Sequence, residues 1–176
     1  MDVYGFALTK EQGSAGAVWI HGEGDGAVSN VRAIMTGWDV LPIEYGDSKT
    51  HFYTKWTDGP SGDWLVYCGL DRAPELIGRF PRSLFTGGFE EKATSIAFGG
   101  VVTGPKTNPP PMASGYLPTE TSSTASISNI QLVDKDGRAW PVTEDLLTVV
   151  TNRDAYAVTP IVNGKFYYGG HGLPKA

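Results

Sequence analysis

Short runs of β-branched and aromatic residues recur along this chain, and this pattern limits its fold more than any other feature. Gly, Pro, Asp or Asn bounds each run, as is typical of strands. With 23 Gly and 12 Pro in 176 residues, long helices are disfavoured. Because no helical pattern alternates with the runs, we predict an all-β fold, either a sandwich or a barrel, rather than a parallel α/β sheet. The predicted strands are residues 17–20, 33–40, 51–56, 64–68, 94–103, 127–133, 146–151 and 166–168.

Turn chemistry separates several of these strands. Residues 58–63, 134–137 and 162–165 carry hairpin sequences, and Asn163-Gly164 is the strongest because both positions favour φ > 0. Residues 83–93 are expected to form a turn or a short helical excursion. Residues 104–115 include three consecutive prolines, so we expect this loop to run over the surface.

Length and charge restrict the organisation and the partners. We expect one domain over residues 1–176, since this length can bury a core without disulfides. The net charge of −5 repels phosphate, so nucleic acid is excluded as a partner. No apolar run approaches 18 residues, so we expect no membrane partner. The first ten residues lack the pattern of a secretion signal, and the compartment stays open.

Local motifs for metal or cofactor chemistry are lacking. His21, His51 and His171 show no metal-binding spacing, so we expect neither a metal site nor a cofactor. The acidic glycine-rich residues 22–26 lack the Lys-Ser/Thr of a phosphate loop, which favours a surface turn. The single cysteine, Cys68, is expected to be a small core residue.

Aromatic residues are the more informative candidates. We expect most of them to be buried, whereas one or two exposed in a concave face would stack on a sugar or an extended peptide. They are Trp38, Tyr45, Tyr53, Trp56, Trp64, Tyr67, Phe80 and Tyr116.

Eight ordered motifs resemble those of the neprosin family. The longest is Met35-Thr36-Gly37-Trp38-Asp39-Val40-Leu41-Pro42-Ile43-Glu44-Tyr45-Gly46-Asp47, which resembles a Gly-Trp-x-Val-x-Pro-x-x-Tyr-Gly-Asp signature. The others lie at residues 56–58, 62–64, 77–81 with 84–85, 98–100, 112–118, 129–134 and 167–170. The resemblance implies a neprosin-type β-sandwich, shortened here between the first motif and the hairpin that follows.

The same resemblance implies a lost activity. Characterised neprosins are secreted glutamic peptidases that cut after proline at acidic pH, and their two glutamate positions hold Met35 and Val101 here. Neither side chain can activate water or protonate a leaving group, so we expect no catalytic residues and no activity by this mechanism.

Strand periodicity indicates what replaces that site. Ala33, Met35, Gly37 and Asp39 share one face of their strand, and Ala97, Gly99, Val101 and Thr103 share one face of theirs. If the two faces still form the floor of the family's cleft, the floor is small and apolar with one carboxylate at its edge. Trp38, Phe98 and Val102 fall on the opposite faces and are expected in the core. The ligand-binding candidates are Met35, Asp39, Tyr45, Tyr67, Arg79, Val101 and Tyr116.

Two classes of function fit this sequence. The first is a non-catalytic binding protein, lectin-like or peptide-binding, with a glycan or peptide partner held on a concave sheet face. The second is a hydrolase, in particular a proline-directed endopeptidase whose acidic residues have moved. Structural, defence or toxin-like roles stay open beside these two.

The shortened sandwich also predicts a homodimer. Removing strands leaves unpaired backbone groups and apolar surface, and a two-fold partner covers both. Closure by shifting the remaining strands is the alternative. Analytical ultracentrifugation at micromolar concentration is expected to show a dimer. A species that stays monomeric as its concentration rises would disprove self-association.

Overall fold

Strands dominate the structure. The computed structural model describes residues 1–22, 32–56, 64–68, 73, 75–81, 93–119, 123–133, 136, 138–143 and 146–172. The all-β prediction is confirmed, since the described ranges hold a single turn of helix, α1 (Pro42–Tyr45). The strands are β1 (Gly13–Gly22), β2 (Arg32–Val40), β3 (His51–Trp56), β4 (Trp64–Cys68), β5 (Glu75–Phe80), β6 (Ser95–Thr103), β7 (Ser126–Ile127), β8 (Gln131–Val133), β9 (Ala139–Pro141), β10 (Ala157–Val158) and β11 (Phe166–Gly169).

Hydrogen bonding groups these strands into four sheets. The largest has the order β3-β2-β1-β6, and a three-stranded sheet has the order β10-β11-β7. The pairs β4-β5 and β8-β9 form two-stranded antiparallel sheets. Val133 on β8 pairs with Ala139 on the antiparallel strand β9, which confirms the predicted chain reversal after β8. The turn itself lies mostly outside the described residues.

The chain forms two compact units. Unit 1 comprises Met1–Ala17, Gly37–Tyr53 and Phe98–Ala176, and unit 2 comprises Val18–Thr36 and Thr54–Ala97. Unit 2 contains the β4-β5 hairpin, in which Val66 and Phe80 are buried and Leu65 is exposed. That alternation is the one expected for a strand with a single buried face. The single-domain organisation stays a prediction.

Unit 1 has a core built around β7 and β11. The buried members are Ala125, Ile127, Ile130, Val142, Phe166 and Tyr168. Phe98 and Met112 pack against this cluster, in agreement with the predicted inward direction of Phe98. Apolar burial of this kind contributes about 25 cal/mol per Å² and holds the short strands together.

The predicted Asn163-Gly164 turn is present. Both residues have positive φ, 52° and 68°, and the Val162 amide donates to the Lys165 carbonyl at 2.8 Å. These angles are those of a type I′ turn, which the right-handed twist of a hairpin favours.

Other sequence predictions were wrong in detail. The strand predicted over 127–133 is broken between β7 and β8, where Asn129 has φ 54°. Residues 146–150 form no strand, and Leu147 is 95% exposed, so no buried face stabilises an extended ladder there. Strands β5, β9 and β10 were not predicted.

The proline-rich loop was also expected on the surface, yet Pro110 is fully buried. The buried Tyr156 hydroxyl donates to the Pro110 carbonyl at 2.8 Å. A proline lacks an N–H, so its burial leaves only that carbonyl to satisfy.

Three further predictions lie outside the described residues. They concern residues 58–63, residues 83–93 apart from Ala93, and the acidic turn 22–26 apart from Gly22.

The described helical turn is too short to span a membrane.

Gly37 marks the closest approach of β2 to β1. A Cβ at this position would overlap the Gly16 carbonyl oxygen and would lie 2.7 Å from the Ala17 Cα. Backbone atoms cannot rotate away as a side-chain tip can, so the two strands require glycine here.

We therefore expect Gly37→Ala to lower the free energy of unfolding by ~1–3 kcal/mol, because overpacking shifts the β1 backbone. Urea denaturation followed by circular dichroism measures this change. Gly78→Ala is the matched control, since its Cβ meets no described atom within 4 Å. Equal stability of the two variants would contradict the close approach.

Candidate functional site

Asp39 on β2 is a buried acid, with only 6% of its surface exposed. A buried carboxylate is unfavourable unless hydrogen bonds replace its hydration. The Tyr45 hydroxyl donates such a bond to Asp39. Burial first, and then the Asp39 charge and this bond, raise the pKa of Tyr45. Burial and the Asp39 charge also raise the pKa of Tyr53 to about 12. Both hydroxyls therefore stay protonated at neutral pH.

Helix α1 positions Tyr45. The helix begins with Pro42 and ends at Gly46, which is left-handed with φ 75° and donates its N–H to the Pro42 carbonyl. Proline at the first position and glycine just after the last position are the ordinary start and stop signals of a helical turn. They direct Tyr45 back toward Asp39.

His51 supports Tyr45 from the other side. Its ring stacks on the Tyr45 ring, with the centroids 4.0 Å apart and the planes at 24°. Its Nε2 lies 2.9 Å from the Asp47 Oδ1. That contact first, and then the Lys49 backbone N–H, lower the pKa of Asp47. The stack and the His51–Asp47 contact hold the Tyr45 ring in place.

Asp39 also lines a cavity in unit 1 that we name the N-terminal pocket. Its enclosed volume is about 20 Å³, and the space that is open to solvent at its mouth brings the total to about 290 Å³. The first residues of the chain supply part of the wall and β1 and β2 supply another part. The lining residues are Asp2, Tyr4, Phe6, Ser14, Ala15, Gly16, Trp38, Asp39, Ala113 and Tyr168.

Gly16 leaves room for Tyr168 in this pocket. A Cβ on Gly16 would overlap the Tyr168 hydroxyl, so a larger residue would displace that ring. Tyr168 is 3% exposed, and burial, followed by the negative charge of Asp2, raises its pKa. Burial and Asp2 raise the pKa of Tyr4 in the same order. The pocket therefore presents neutral hydroxyls beside carboxylates.

Hydrogen bonds fasten the N-terminal residues to the body of unit 1. The Asp2 Oδ2 accepts from the Ser126 backbone N–H at 2.7 Å and from the Ser126 hydroxyl at 2.9 Å. The Thr50 hydroxyl donates to the Tyr4 carbonyl at 2.9 Å. The Ser48 hydroxyl donates to the Leu8 carbonyl at 2.9 Å. These bonds fix the position of the wall that Asp2, Tyr4 and Phe6 provide.

The structure brings together two of the seven ligand-binding candidates, Asp39 and Tyr45. Asp39 was expected at the edge of an apolar floor and is instead buried. Val101 on β6 is 51% exposed, and Tyr116 is exposed in a loop of unit 1.

The remaining candidates belong to unit 2. Met35 on β2 is half-buried, and Arg79 on β5 is exposed opposite Leu65. The Tyr67 backbone pairs with Leu76, and its side chain lies outside the described residues. That Met35 faces Val101 stays a prediction, because they belong to different units.

Sequence reasoning missed most of the pocket wall. Asp2, Tyr4 and Phe6 have a period of two, which could have indicated one face of an extended segment. Their contact with Tyr168 joins residues far apart in the chain, and no local pattern encodes that. Within the described ranges, no three His, Cys, Asp or Glu side chains form a group that could hold a metal.

Comparison with protein-family models identifies the family of this chain. The Neprosin family profile matches residues 10–61 and 57–171. The chain belongs to the neprosin family. No curated protein sequence matched it. The neprosin-like run 35–47 contains both partners of the Asp39–Tyr45 hydrogen bond.

Removal of the Asp39 charge tests whether Asp39 acts on the Tyr45 and Tyr53 hydroxyls. We expect Asp39→Asn to lower the pKa of Tyr53 from about 12 toward the ordinary 10.0, and that of Tyr45 as well. NMR titration of ¹³Cζ-labelled tyrosines measures both. Asp154→Asn, at an exposed position, is the control and should leave them unchanged.

The raised pKa of Tyr53 also predicts how the stability of the fold changes with pH. Unfolded tyrosine ionises near pH 10 and folded Tyr53 near pH 12, so its contribution is complete below pH 10. It is lost as the pH rises from 10 through 12.

Tyrosine pKa values unchanged in Asp39→Asn would show that Asp39 does not act on these hydroxyls.

Proposed function

We propose that this neprosin-family chain is a non-catalytic binding protein whose ligand is a peptide. The observation that supports the proposal is the N-terminal pocket, where four aromatic residues and two carboxylates line one cavity. Ligand sites combine apolar walls with a few polar groups that fix orientation. Its enclosed space of about 20 Å³ is a shallow recess, which would take the tip of one side chain rather than a whole small molecule.

Peptide is favoured over glycan by the shape of the site. A pyranose ring stacks on an open aromatic platform, whereas the N-terminal pocket has Tyr168 almost fully buried in its wall. Exposed aromatics such as Tyr116 and Trp140 support the lectin-like alternative. Trp140 pairs with Leu132 across β8 and β9, and both are exposed, so the two form an apolar surface pair.

An acid hydrolase is the second candidate. The observation that favours it is that Asp2 and Asp39 line the same cavity, as a relocated acid pair would. A general acid or base must exchange its proton with substrate or water. Asp2 accepts two hydrogen bonds from Ser126, and Asp39 accepts one from Tyr45, so both serve the fold. This arrangement supports binding more than catalysis.

Peptide and glycan arrays probed with the purified chain test the proposal. We expect peptides to be captured and Phe6→Ala to weaken their binding about tenfold, because it removes one aromatic wall. Leu147→Ala, at a 95% exposed apolar position, is the matched control and should bind normally. Capture of glycans alone would overturn the peptide proposal.

Mass spectrometry of the captured peptides after incubation between pH 3 and pH 7 provides the second readout. We expect intact peptides, including those that contain proline. Cleavage that disappears in Asp39→Asn would establish the hydrolase instead.

A further inference from the structure

We propose that proton uptake by His51 strengthens the attachment of helix α1 to strand β3, so that this part of unit 1 is held more tightly at mildly acidic pH than at pH 8. The residues that form this device are Tyr45, Asp47 and His51, and we name them the histidine cluster. The inference goes beyond the proposed peptide binding and does not depend on it. It follows from the contacts and the charges around the imidazole ring.

The imidazole ring of His51 has two partners. Its Nε2 lies 2.9 Å from the Asp47 Oδ1, and its face stacks on the Tyr45 ring with the centroids 4.0 Å apart. An ionised carboxylate can only accept hydrogen bonds, so the Nε2 of the neutral ring carries the hydrogen and a further proton binds at Nδ1. Proton uptake therefore keeps both contacts and adds a positive charge to the ring.

This charge strengthens both contacts. The hydrogen bond to Asp47 becomes charge-assisted on both sides, and the face of the Tyr45 ring attracts a cation. Exposed ion pairs contribute little when both side chains must first be ordered. Here the Lys49 backbone N–H donates to the Asp47 Oδ1 at 2.9 Å and already orients the carboxylate, while the stack orients the imidazole. The ordering cost of the ion pair is therefore small.

Strand β3 is attached to β2 independently of this cluster. The Trp38 and Phe52 rings meet edge to face, with their centroids 5.3 Å apart. That contact contains no titratable group. We therefore expect the effect of the proton to be confined to the α1 side of His51, where Tyr45 donates its hydroxyl hydrogen bond to Asp39.

Several charged and titratable groups surround Tyr45 and His51. They are Asp39 on β2, Glu44 and Tyr45 on α1, Asp47 and Lys49 in the connection, and Tyr53 on β3. The acids favour a positive charge on the ring, and the two tyrosines, whose pKa is raised, stay neutral. The Lys49 Nζ lies 3.9 Å from the Asp47 Oδ2 on an 82% exposed side chain, so water and salt screen its repulsion of the imidazolium.

Two titrations bound the pH range of the effect. An imidazole gains its charge as the pH falls from about 8 to about 5, so the stabilisation appears over that interval. The contact with His51 first, and then the Lys49 N–H, lower the pKa of Asp47 from the ordinary 3.8. A carboxyl group with a lowered pKa contributes stability that is lost as the pH falls through that pKa. The added stability is therefore expected between about pH 4 and pH 6.

A double-mutant cycle tests the ion pair. His51→Gln keeps a hydrogen-bond donor without the charge, and Asp47→Asn removes the carboxylate charge at nearly constant size. Urea denaturation of the full chain, followed by circular dichroism, measures the coupling between the two residues at about pH 5 and about pH 8. We expect the coupling to raise the folding equilibrium constant about threefold more at the lower pH. Added salt should reduce this difference.

Controls locate the effect at the histidine cluster. His21→Gln removes a histidine of unit 2 and should keep the pH dependence of the wild type. NMR of ¹³C-labelled tyrosine rings should show the Tyr45 signal moving between about pH 8 and pH 5 in the wild type and in His21→Gln, but not in His51→Gln. Asp47→Ser keeps an acceptor for the Lys49 N–H and takes the place of Asp47→Asn in the cycle if that variant fails to fold.

The outcomes are distinct from those of the peptide arrays. Equal coupling at the two pH values, or stronger coupling at pH 8, overturns the inference. A Tyr45 signal that moves equally in the wild type and in His51→Gln also overturns it. The cycle contains no peptide, so its failure leaves the proposed peptide binding untouched, and failure of the arrays to capture a peptide leaves the histidine cluster standing.

Discussion

The buried carboxylate of Asp39 is the constraint around which residues 37–53 are organised. A charge with 6% exposure is costly, and the hydrogen bond that Tyr45 donates offsets part of that cost. Helix α1 turns the chain so that Tyr45 reaches Asp39, and β3 carries Tyr53 beside it. His51 stacks on Tyr45 and contacts Asp47 in turn. Local turn chemistry, ring stacking and electrostatics thus serve a single buried group.

Much of this local architecture could be predicted from the sequence. The bounds of β3 and β4 match the predicted runs, because alternating apolar residues between turn residues form a strong strand signal. Failures occurred where long-range contacts decide the outcome. Residues 146–151 have strand composition but no buried face, and Pro110 is buried although prolines favour loops. The helical turn at 42–45 has Pro and Gly signals, but four residues are too few for helical periodicity.

The same distinction applies to the site: residues close in sequence could be predicted, and residues joined by tertiary contacts could not. Asp39 and Tyr45 were both candidates because they lie within the neprosin-like run, six positions apart in sequence. Asp2, Tyr4 and Tyr168 were missed because tertiary contacts join the two ends of the described chain. The structure also changes the expected role of Asp39, since a carboxylate at an open edge would be solvated and could exchange protons freely. Held by Tyr45, it contributes negative charge to a cavity.

The pocket is complete only when the N-terminal segment with Asp2, Tyr4 and Phe6 is docked. Asp2, Tyr4 and Phe6 belong to a segment outside the named strands, and a few hydrogen bonds, to Ser126 and Thr50 among others, fasten it. A segment outside the strands that a few hydrogen bonds hold opens at lower free energy than core strands do. A ligand that contacts both this segment and Asp39 binds only the docked form, so its binding energy must favour docking. Docking of the segment and binding of any ligand that contacts it are therefore energetically linked.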